Sequence, residues 1–281
     1  LRREFGVRIV DSPEAVAERS DAILLESVDG RVHLDQFRRI AAAGKPVFID
    51  KPFAVTTAEA RGIVELARQH QVPLMSCSSL RYAENYTAAL ADATLGELYG
   101  IDVAGPMSLE PTQPGLFWYG IHPVEMLYAA LGRGCAAVTA VTTPEHDLAV
   151  GRWADGRLGT VRGNRRGNGQ FGAVLHRTKG IRFADASGSA KTPYVSLLER
   201  VIPFFRDRRE PIALEETIEI KVRNHKAEKV KVIVKENLYR WTNWEITQKT
   251  HEFKKTDART IEFPVKVEKD GEATIRYTVH Y

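Results

Sequence analysis

An acidic and a basic residue follow an apolar run near residue 50. The run Pro46-Val47-Phe48-Ile49 predicts a buried strand, and Asp50, Lys51 and Pro52 come directly after it. Ligands of open α/β sheets bind beyond the carboxyl ends of the strands. A lysine in that place can hold a phosphate or a ribose, or polarise a hydroxyl group that is being oxidised. On spacing alone, an ion pair between Lys51 and Asp50 or another neighbour is the alternative.

The elements that would position this segment alternate between strand and helix. Short apolar runs predict strands at 22–25, 46–49 and 72–76, and periodic runs predict helices at 33–43 and 58–70. Gly44 ends the first helix, and Thr57 is the expected N-cap of the second. Strand and helix alternating at this spacing predict right-handed crossovers and a parallel sheet.

The periodicity changes near residue 215. Beyond it, apolar and polar residues alternate in four runs, at 218–222, 230–234, 261–267 and 275–281. This alternation predicts an antiparallel β unit with one apolar face and room for at most about five strands, few for a complete sandwich. Pro264 inside one run predicts an edge strand, and Asp270-Gly271 predicts a hairpin between the last two runs.

The composition changes at the same place. Residues 1–214 contain 22 Arg and 4 Lys, whereas residues 215–281 contain 4 Arg and 10 Lys. Gly271 is the single glycine of the second part. Because lysine and arginine serve equally well on an ordinary solvated surface, we interpret the two parts as segments of different origin. A lysine-rich surface on a β domain is the alternative.

The composition as a whole is that of a globular protein. The chain has 281 residues, 43% hydrophobic and 27% charged, with a net charge of +4 spread among both signs. No apolar run approaches the roughly 18 residues of a membrane helix, so we expect no membrane as a partner. Because charges of both signs are interspersed, we expect no nucleic acid as a partner either. Cys77 and Cys135 belong to no CxxC motif, so we expect them to be inert buried thiols. The histidines lack the spacing of metal ligands, so we expect no metal site. We also expect a cytoplasmic protein.

Several motifs occur in the order shown by one family of enzymes. They are Ser27-Val28-Asp29-Gly30 through His33, Asp50-Lys51-Pro52-Phe53, Ser78-Ser79-Leu80-Arg81-Tyr82, Gly120-Ile121-His122-Pro123-Val124-Glu125 and Ala213-Leu214-Glu215-Glu216-Thr217-Ile218-Glu219-Ile220. Over residues 1 to about 220 the chain resembles the Gfo/Idh/MocA oxidoreductases, with Asp50 in place of the family's usual glutamate. In that family the last of these motifs starts a C-terminal helix.

The resemblance implies an α/β fold in three parts. A truncated Rossmann-like parallel sheet, binding NAD or NADP, would occupy residues 1–85. An α+β substrate and oligomerisation domain with an open mixed or antiparallel sheet would follow at 86–214, and the antiparallel β tail, a partial sandwich, at 215–281. The second-domain sheet would allow self-association into a homo-oligomer.

The resemblance also implies the site residues. Lys51 and His122 would be catalytic: Lys51 would orient the reacting hydroxyl and the nicotinamide ribose, and His122 would take or give the proton. Cofactor contacts are implied for Ser27, His33, Asp50, Lys51 and Pro52, and substrate contacts for Arg81, Tyr82, Trp118 and His122. The reaction would be reversible hydride transfer between NAD(P) and a hydroxyl carbon of a sugar or polyol derivative.

Structural roles are the alternatives for several of these residues. His33 would pack or cap the helix that it opens, Trp118 would pack in the core, and Arg81 with Tyr82 would anchor a loop. We expect Glu125 to face a helix surface.

The chain departs from the family pattern in two places. It begins at Leu1 without the glycine-rich turn that binds the pyrophosphate, and family analogy places about 80 residues upstream. We therefore expect cofactor binding to be weak or absent and turnover to be slow or absent. The glycine-rich stretch 163–169 is expected to be a turn or loop of the second sheet. Trp118 stands four residues before His122, where the family often has an aspartate, so the acid–base arrangement differs from the usual one.

The tail has a resemblance of its own. Val222-Arg223-Asn224, the segment 238–246 and Gly271-Glu272-Ala273-Thr274 resemble a β-sandwich domain of unknown function that ends some bacterial proteins. The sequence thus predicts a chimeric chain, an impaired oxidoreductase joined near 214–221 to part of an unrelated β domain. The rival hypothesis is a non-catalytic binding or structural protein whose β-sandwich tail mediates association.

Overall fold

The computed structural model describes residues 2–111, 113–212, 216–238, 244–257 and 260–280. The chain divides into two compact units, Leu1–Ile212 and Ala213–Tyr281. The helices of the first unit are α1 (Arg2–Phe5), α2 (Pro13–Arg19), α3 (His33–Ile40), α4 (Thr57–Gln69), α5 (Glu84–Ala91), α6 (Ile121–Leu131) and α7 (Pro193–Asp207). Its strands are β1 (Ile23–Leu25), β2 (Val47–Ile49), β3 (Leu74–Met75), β4 (Leu98–Pro106), β5 (Cys135–Thr142), β6 (His146–Trp153), β7 (Leu158–Asn164), β8 (Gly172–Arg177) and β9 (Gly180–Asp185). No helix within the described ranges is both long enough and apolar enough to cross a membrane.

The predicted parallel sheet is present, in the order β1-β2-β3. All of β2 is buried, as its apolar run predicts. The apolar run at 22–25 forms β1, but this strand pairs only with β2 in the sheet and exposes Leu24, so it is less buried than its run suggests. Helix α3 continues into a 3₁₀ turn at Ala41–Ala43 that is capped by Gly44, whose φ of 62° is the left-handed conformation that glycine adopts without strain. The N-cap of α4 is Thr56 rather than Thr57, since the Thr56 hydroxyl accepts the Glu59 N–H.

Helix α7 covers this parallel sheet. Its Leu197, Val201 and Phe204 pack against Phe48 of β2 and Met75 of β3. The helix lies within the range that the sequence assigns to the second domain, yet it contributes to the core of the first. The chain thus returns after its second sheet to close the first one.

The second sheet of this unit is mixed, as expected. It has six strands in the order β5-β6-β7-β4-β8-β9, and β4 runs parallel to β7 and antiparallel to β8. Helices α5 and α6 contact the sheet, and a core that includes Tyr86, Met126 and Trp153 fills the space between them. Other apolar side chains of β5 and β9 remain exposed, namely Val138, Val141, Ile181 and Phe183. The sheet is therefore open on part of its surface.

The second unit contains two antiparallel sheets. Its strands are β10 (Glu216–Arg223), β11 (Val230–Asn237), β12 (Glu245–Lys249), β13 (Lys254–Lys255), β14 (Thr260–Val267) and β15 (Glu272–His280). The sheets have the orders β10-β15-β12 and β11-β14-β13. Phe263 of β14 and Tyr277 of β15 lie in one shared core. The unit thus has six described strands, one more than the sequence predicts. They are divided between two sheets of three strands each.

Two local predictions for the tail were wrong. Asp270-Gly271 makes no hairpin, because β14 and β15 belong to different sheets and the turn carries the chain across the core. Pro264 lies in the central strand of its sheet rather than in an edge strand. It is tolerated there because it pairs only with Ile233 of β11, while β13 reaches no further than Glu262. Residues 216–220 begin strand β10, as the alternation at 218–222 predicts, whereas the same motif starts a helix in the family.

Candidate active site

The chain after β2 presents an unpartnered ammonium group. Lys51 is half-buried, and its Nζ forms no hydrogen bond or ion pair with the residues that the structure describes. The alternative of an ion pair with Asp50 is therefore not seen. Burial lowers the pKa of Lys51, and the charge of Asp50 partly offsets that effect. Lys51 is thus placed to bind a ligand.

A tight backbone contact holds the Lys51 loop. The peptide bond between Lys51 and Pro52 is cis. Pro52 is buried against Gly30, where a Cβ atom would lie 2.8 Å from Pro52 Cγ and 2.9 Å from its carbonyl oxygen. Glycine is the residue that permits this approach of two loops. The loops that follow β1 and β2 therefore position each other.

His33 and Ser27 also join these two loops. The His33 ring is fully buried, with Nε2 2.7 Å from the Ser27 carbonyl oxygen and Nδ1 3.2 Å from that of Phe53. The Ser27 hydroxyl donates to Gln36 Oε1 at 2.7 Å. Both side chains are engaged within the protein, so the structure shows them holding the loops together. The cofactor contacts implied by the resemblance for Ser27, His33, Asp50, Lys51 and Pro52 stay predictions.

Aromatic rings from the second half of the unit surround Lys51. Its Nζ lies 5.0 Å from the ring centroid of Trp118 and 6.0 Å from that of Tyr119. A cation over an aromatic face is stabilised by the ring quadrupole. The family often has an aspartate at this position. Trp118 instead lies beside Lys51 and offers His122 no carboxylate. Trp118 is only partly buried, so the alternative of a core residue is not seen, and its implied substrate contact stays a prediction.

His122 belongs to the same cluster. Its ring centroid lies 5.5 Å from that of Tyr119 and 5.6 Å from that of Phe171. Its Nδ1 lies 2.7 Å from the hydroxyl oxygen of buried Ser78. Burial, and then the charge of Lys51, lowers the pKa of His122 to about 4. The imidazole is therefore neutral at physiological pH, and the structure brings the two predicted catalytic residues together.

Arg81 and Tyr82 are used within the protein. Arg81 Nη1 lies 3.1 Å from Glu125 Oε1, and each side chain is 21% exposed. The expectation that Glu125 faces a helix surface was wrong, because this carboxylate neutralises Arg81. Burial raises the pKa of Tyr82 to about 12, and the Arg200 guanidinium lies over its ring. Arg81 and Tyr82 thus each contact another side chain of the protein, and the substrate contacts implied for them stay predictions.

Four residues near the site were not predicted as site residues. Ser78 was visible only as part of a motif, and its bond to His122 depends on the meeting of two distant segments. Tyr119 and Phe171 stack at 14° with centroids 6.5 Å apart, a contact that no local pattern indicates. Tyr194 starts helix α7, and desolvation followed by the charge of Asp50 raises its pKa. Tyr194 comes near Asp50 only because α7 packs on the first sheet.

The remaining candidate groups show no chemistry of their own. Cys77 is buried and burial raises the pKa of its thiol, whereas Cys135 is only partly buried. No three His, Cys, Asp or Glu side chains gather as metal ligands would in the described part of the chain. In the stretch 163–169, the first two residues end strand β7 and the rest form a loop, as expected.

Comparison with protein families supports the class that this fold and site define. Residues 1–77 match the model of the Gfo/Idh/MocA family, described as an oxidoreductase family with an NAD-binding Rossmann fold. Over these residues the chain is similar to that family.

Two curated proteins show the same relationship. Inositol 2-dehydrogenase of Rhizobium meliloti is 26% identical over 159 residues, covering 53% of this chain and 48% of that protein. A dTDP-3,4-didehydro-2,6-dideoxy-alpha-D-glucose 3-reductase of Streptomyces antibioticus is 28% identical over 155 residues, covering 50% and 47%. The chain thus spans about half the length of the curated relatives it matches.

Solved structures share the fold. GenD2 from gentamicin A biosynthesis, in complex with NAD, superposes with a TM-score of 0.65 at 21% identity, covering 75% of this chain and 76% of that one. A probable dehydrogenase from Thermotoga maritima gives a TM-score of 0.66 at 19% identity, covering 75% and 79%. At these identities the likeness concerns the fold alone.

Proposed function

We propose that this chain carries the active-site part of an NAD(P)-dependent dehydrogenase or reductase that acts on a hydroxyl group of a sugar or polyol. One observation carries the proposal: the half-buried Lys51 ammonium has no described partner and shares Tyr119 with the neutral His122. A proton-handling pair walled by aromatic rings, at the carboxyl end of a parallel strand, suits oxidation of an alcohol. The relatives that match this chain act, by their names, on inositol and on a deoxysugar nucleotide.

The donor set beyond β2 fits a nicotinamide nucleotide. The Lys51 ammonium supplies hydrogen-bond donors and the Asp50 carboxylate supplies acceptors, and neither makes a described side-chain bond within the protein. Ribose hydroxyls need this combination of a donor and an acceptor. When bound, the nicotinamide would supply the hydride chemistry. Lys51, Asp50 and Pro52 would hold it, and the residues of the protein would orient the alcohol and move its proton.

The polar groups of the site also constrain the reacting end of the substrate. Because Glu125 neutralises Arg81, Lys51 is the one unpaired cation among the described residues of this cluster. In this proposal that ammonium binds the cofactor ribose and the reacting hydroxyl, which leaves no described cation of the cluster for a carboxylate or phosphate of the substrate. Trp118, Tyr119 and Phe171 provide flat apolar faces on which a sugar or polyol ring can lie. A neutral hydroxyl-bearing carbon is therefore the proposed reacting group.

We expect this chain to hold the cofactor weakly. The described residues include no glycine-rich turn between a strand and a helix, so they offer no set of backbone N–H groups for a pyrophosphate. The affinity would rest on the contacts beyond β2. Turnover by this chain is accordingly expected to be slow.

An activity screen tests the proposal. The chain is incubated with NAD⁺ or NADP⁺ and a panel of inositols, hexoses and nucleotide sugars, and cofactor reduction is followed by absorbance. Lys51→Ala and His122→Asn are expected to lower the rate about 100-fold or more. Lys45→Ala, at the opposite end of the same strand, is the matched control and should keep the rate. No reduction with any alcohol would contradict the proposal and favour the non-catalytic hypothesis.

Self-association through the second sheet is part of the same proposal. Val138 and Val141 are exposed on β5, and Ile181 and Phe183 on β9; these are the two edge strands of the sheet, and exposed apolar side chains at sheet edges favour association. Light scattering of the wild type should give a mass above the 31.4 kDa of one chain. The Phe183→Lys variant should lower that mass, whereas Val16→Lys, at an exposed apolar residue of α2, should not. A monomeric wild type would overturn this part.

A further inference from the structure

Ser78 is a buried hydroxyl whose hydrogen bonds can be counted. The residue is 1% exposed. Its Oγ accepts the N–H of Leu80 at 3.2 Å, which uses one of its two lone pairs. The hydroxyl hydrogen then needs an acceptor, since a buried O–H without a partner is unfavourable. Within the described part of the chain, His122 Nδ1 at 2.7 Å is the acceptor available to it.

This count decides which ring nitrogen of His122 carries the proton. If Ser78 donates to Nδ1, that nitrogen has a lone pair, and the neutral imidazole must carry its hydrogen on Nε2. The opposite tautomer would place two hydrogens between Nδ1 and Oγ or leave the Ser78 hydrogen without an acceptor. Within the described residues no carboxylate is hydrogen-bonded to the His122 ring, since Trp118 occupies the place of the usual aspartate and Glu125 is bound to Arg81.

We infer that Ser78 is a positioning residue that holds His122 in the Nε2–H tautomer, so that His122 donates a hydrogen bond to the substrate oxygen and Lys51 exchanges the proton. The assignment to Lys51 rests on the proposed function, whereas the tautomer does not. In the oxidising direction the carbinol O–H proton passes to the neutral Lys51 amine, which becomes the ammonium. The hydride of the C–H bond leaves to the oxidised nicotinamide and a carbonyl group forms.

Lys51 is suited to that exchange. The ring faces of Trp118 and Tyr119 and the charge of Asp50 favour the ammonium, but no carboxylate among the described residues forms an ion pair with it. Burial lowers its pKa, which raises the neutral fraction at neutral and mildly alkaline pH. In the reducing direction the ammonium returns the proton while the Nε2–H of His122 polarises the carbonyl oxygen.

The tautomer can be measured without substrate or cofactor. The chain is labelled with ¹⁵N-histidine, and the ring nitrogens are observed by long-range ¹H–¹⁵N correlation at neutral pH, with His122 assigned from its absence in His122→Asn. We expect Nε2 of pyrrole type and Nδ1 of pyridine type. In Ser78→Ala the His122 signals should shift toward a mixture of tautomers. Ser79→Ala, at the next residue of the same turn, is the control and should leave them unchanged.

The outcomes separate the inference from the proposed function. An Nδ1–H tautomer in the wild type, or His122 signals that Ser78→Ala leaves unchanged, would overturn the inference even if the chain oxidises an alcohol. An Nε2–H tautomer that depends on Ser78 supports it even if no alcohol is oxidised. In an active enzyme, Ser78→Ala should lower kcat more than it changes KM, because a loosely oriented donor affects the chemical step most.

Discussion

Arg81 and Glu125 form an ion pair, 3.1 Å between Nη1 and Oε1, that ties the 3₁₀ turn Ser79–Tyr82 to helix α6. The pair lies one helical turn beyond His122, and the turn follows directly after Ser78. Both ends of the Ser78–His122 hydrogen bond are thus fixed by the same ion pair. It joins the segment after the parallel sheet to the helix that supplies the predicted proton-handling histidine.

Breaking this ion pair is expected to destabilise the first unit. In Glu125→Leu the Arg81 guanidinium, 21% exposed, would lack its anionic partner, and we expect a loss of about 1–3 kcal/mol in the free energy of unfolding. The Arg81→Met/Glu125→Leu double variant should recover part of that loss. Urea unfolding of the four proteins of this cycle measures the coupling. Strictly additive effects would show that the contact contributes nothing.

The close approach of Gly30 to Pro52 predicts a second effect. Gly30→Ala would place a Cβ 2.8 Å from Pro52 Cγ, so the Lys51 loop must shift. We expect a loss of about 1–3 kcal/mol in the free energy of unfolding, together with weaker NADH binding. Gly169→Ala is the matched control, because a Cβ there meets no atom within 4 Å. Equal behaviour of the two variants would show that the loops tolerate the extra atom.

His122 predicts how the stability depends on pH. The folded protein has its pKa at about 4, against 6.5 for an ordinary imidazole. Between these values the unfolded chain binds the additional proton, so the stability from this group is present above about pH 6.5 and is lost as the pH falls toward 4. Over that range the free energy of unfolding should fall by up to about 1.4 kcal/mol per pH unit.

A His122→Gln variant tests this origin. Urea unfolding of the wild type and the variant is compared at about pH 7, 6 and 5. The variant should lose less stability on acidification than the wild type. Parallel losses in both proteins would assign the acid sensitivity to other groups.

Asn224 is predicted to be essential for the second unit. It is buried, and its Nδ2 donates to the carbonyl oxygens of Glu228, Val267 and Glu268. Asn224→Asp would replace this donor by a carboxylate that faces carbonyl oxygens. We expect a loss of about 2–4 kcal/mol in the free energy of unfolding, larger at neutral than at acid pH. Near-native melting of Asn224→Asp, followed by circular dichroism, would contradict this role.

Much of the fold was predictable because local periodicity determined it. The apolar run at 46–49 identified β2, and Gly44 marked the end of the helix before it. What the sequence could not show was which strands pair over long distances. Asp270-Gly271 has the residues of a hairpin, yet the strands on either side bury their apolar faces from opposite sheets. The same limit applies to Pro264, whose tolerance depends on how far β13 extends.

The site was predicted in part for the same reason. Lys51 and His122 occur in recognisable motifs, so a resemblance could find them. Glu125 was expected on a surface because its pairing with Arg81 requires two segments more than 40 residues apart to meet. The Ser78–His122 bond joins residues 44 positions apart, and nothing in the local pattern indicates it.

The proposed function depends on the binding of a nicotinamide nucleotide by the unpartnered Lys51 ammonium. Isothermal titration of the chain with NADH and NADPH tests it most directly, using the wild type, Lys51→Ala and the control Lys45→Ala. We expect measurable binding that Lys51→Ala weakens about tenfold or more, or about 1.4 kcal/mol, and that Lys45→Ala leaves unchanged. No heat at millimolar cofactor, or the same affinity in Lys51→Ala as in the wild type, would contradict the claim.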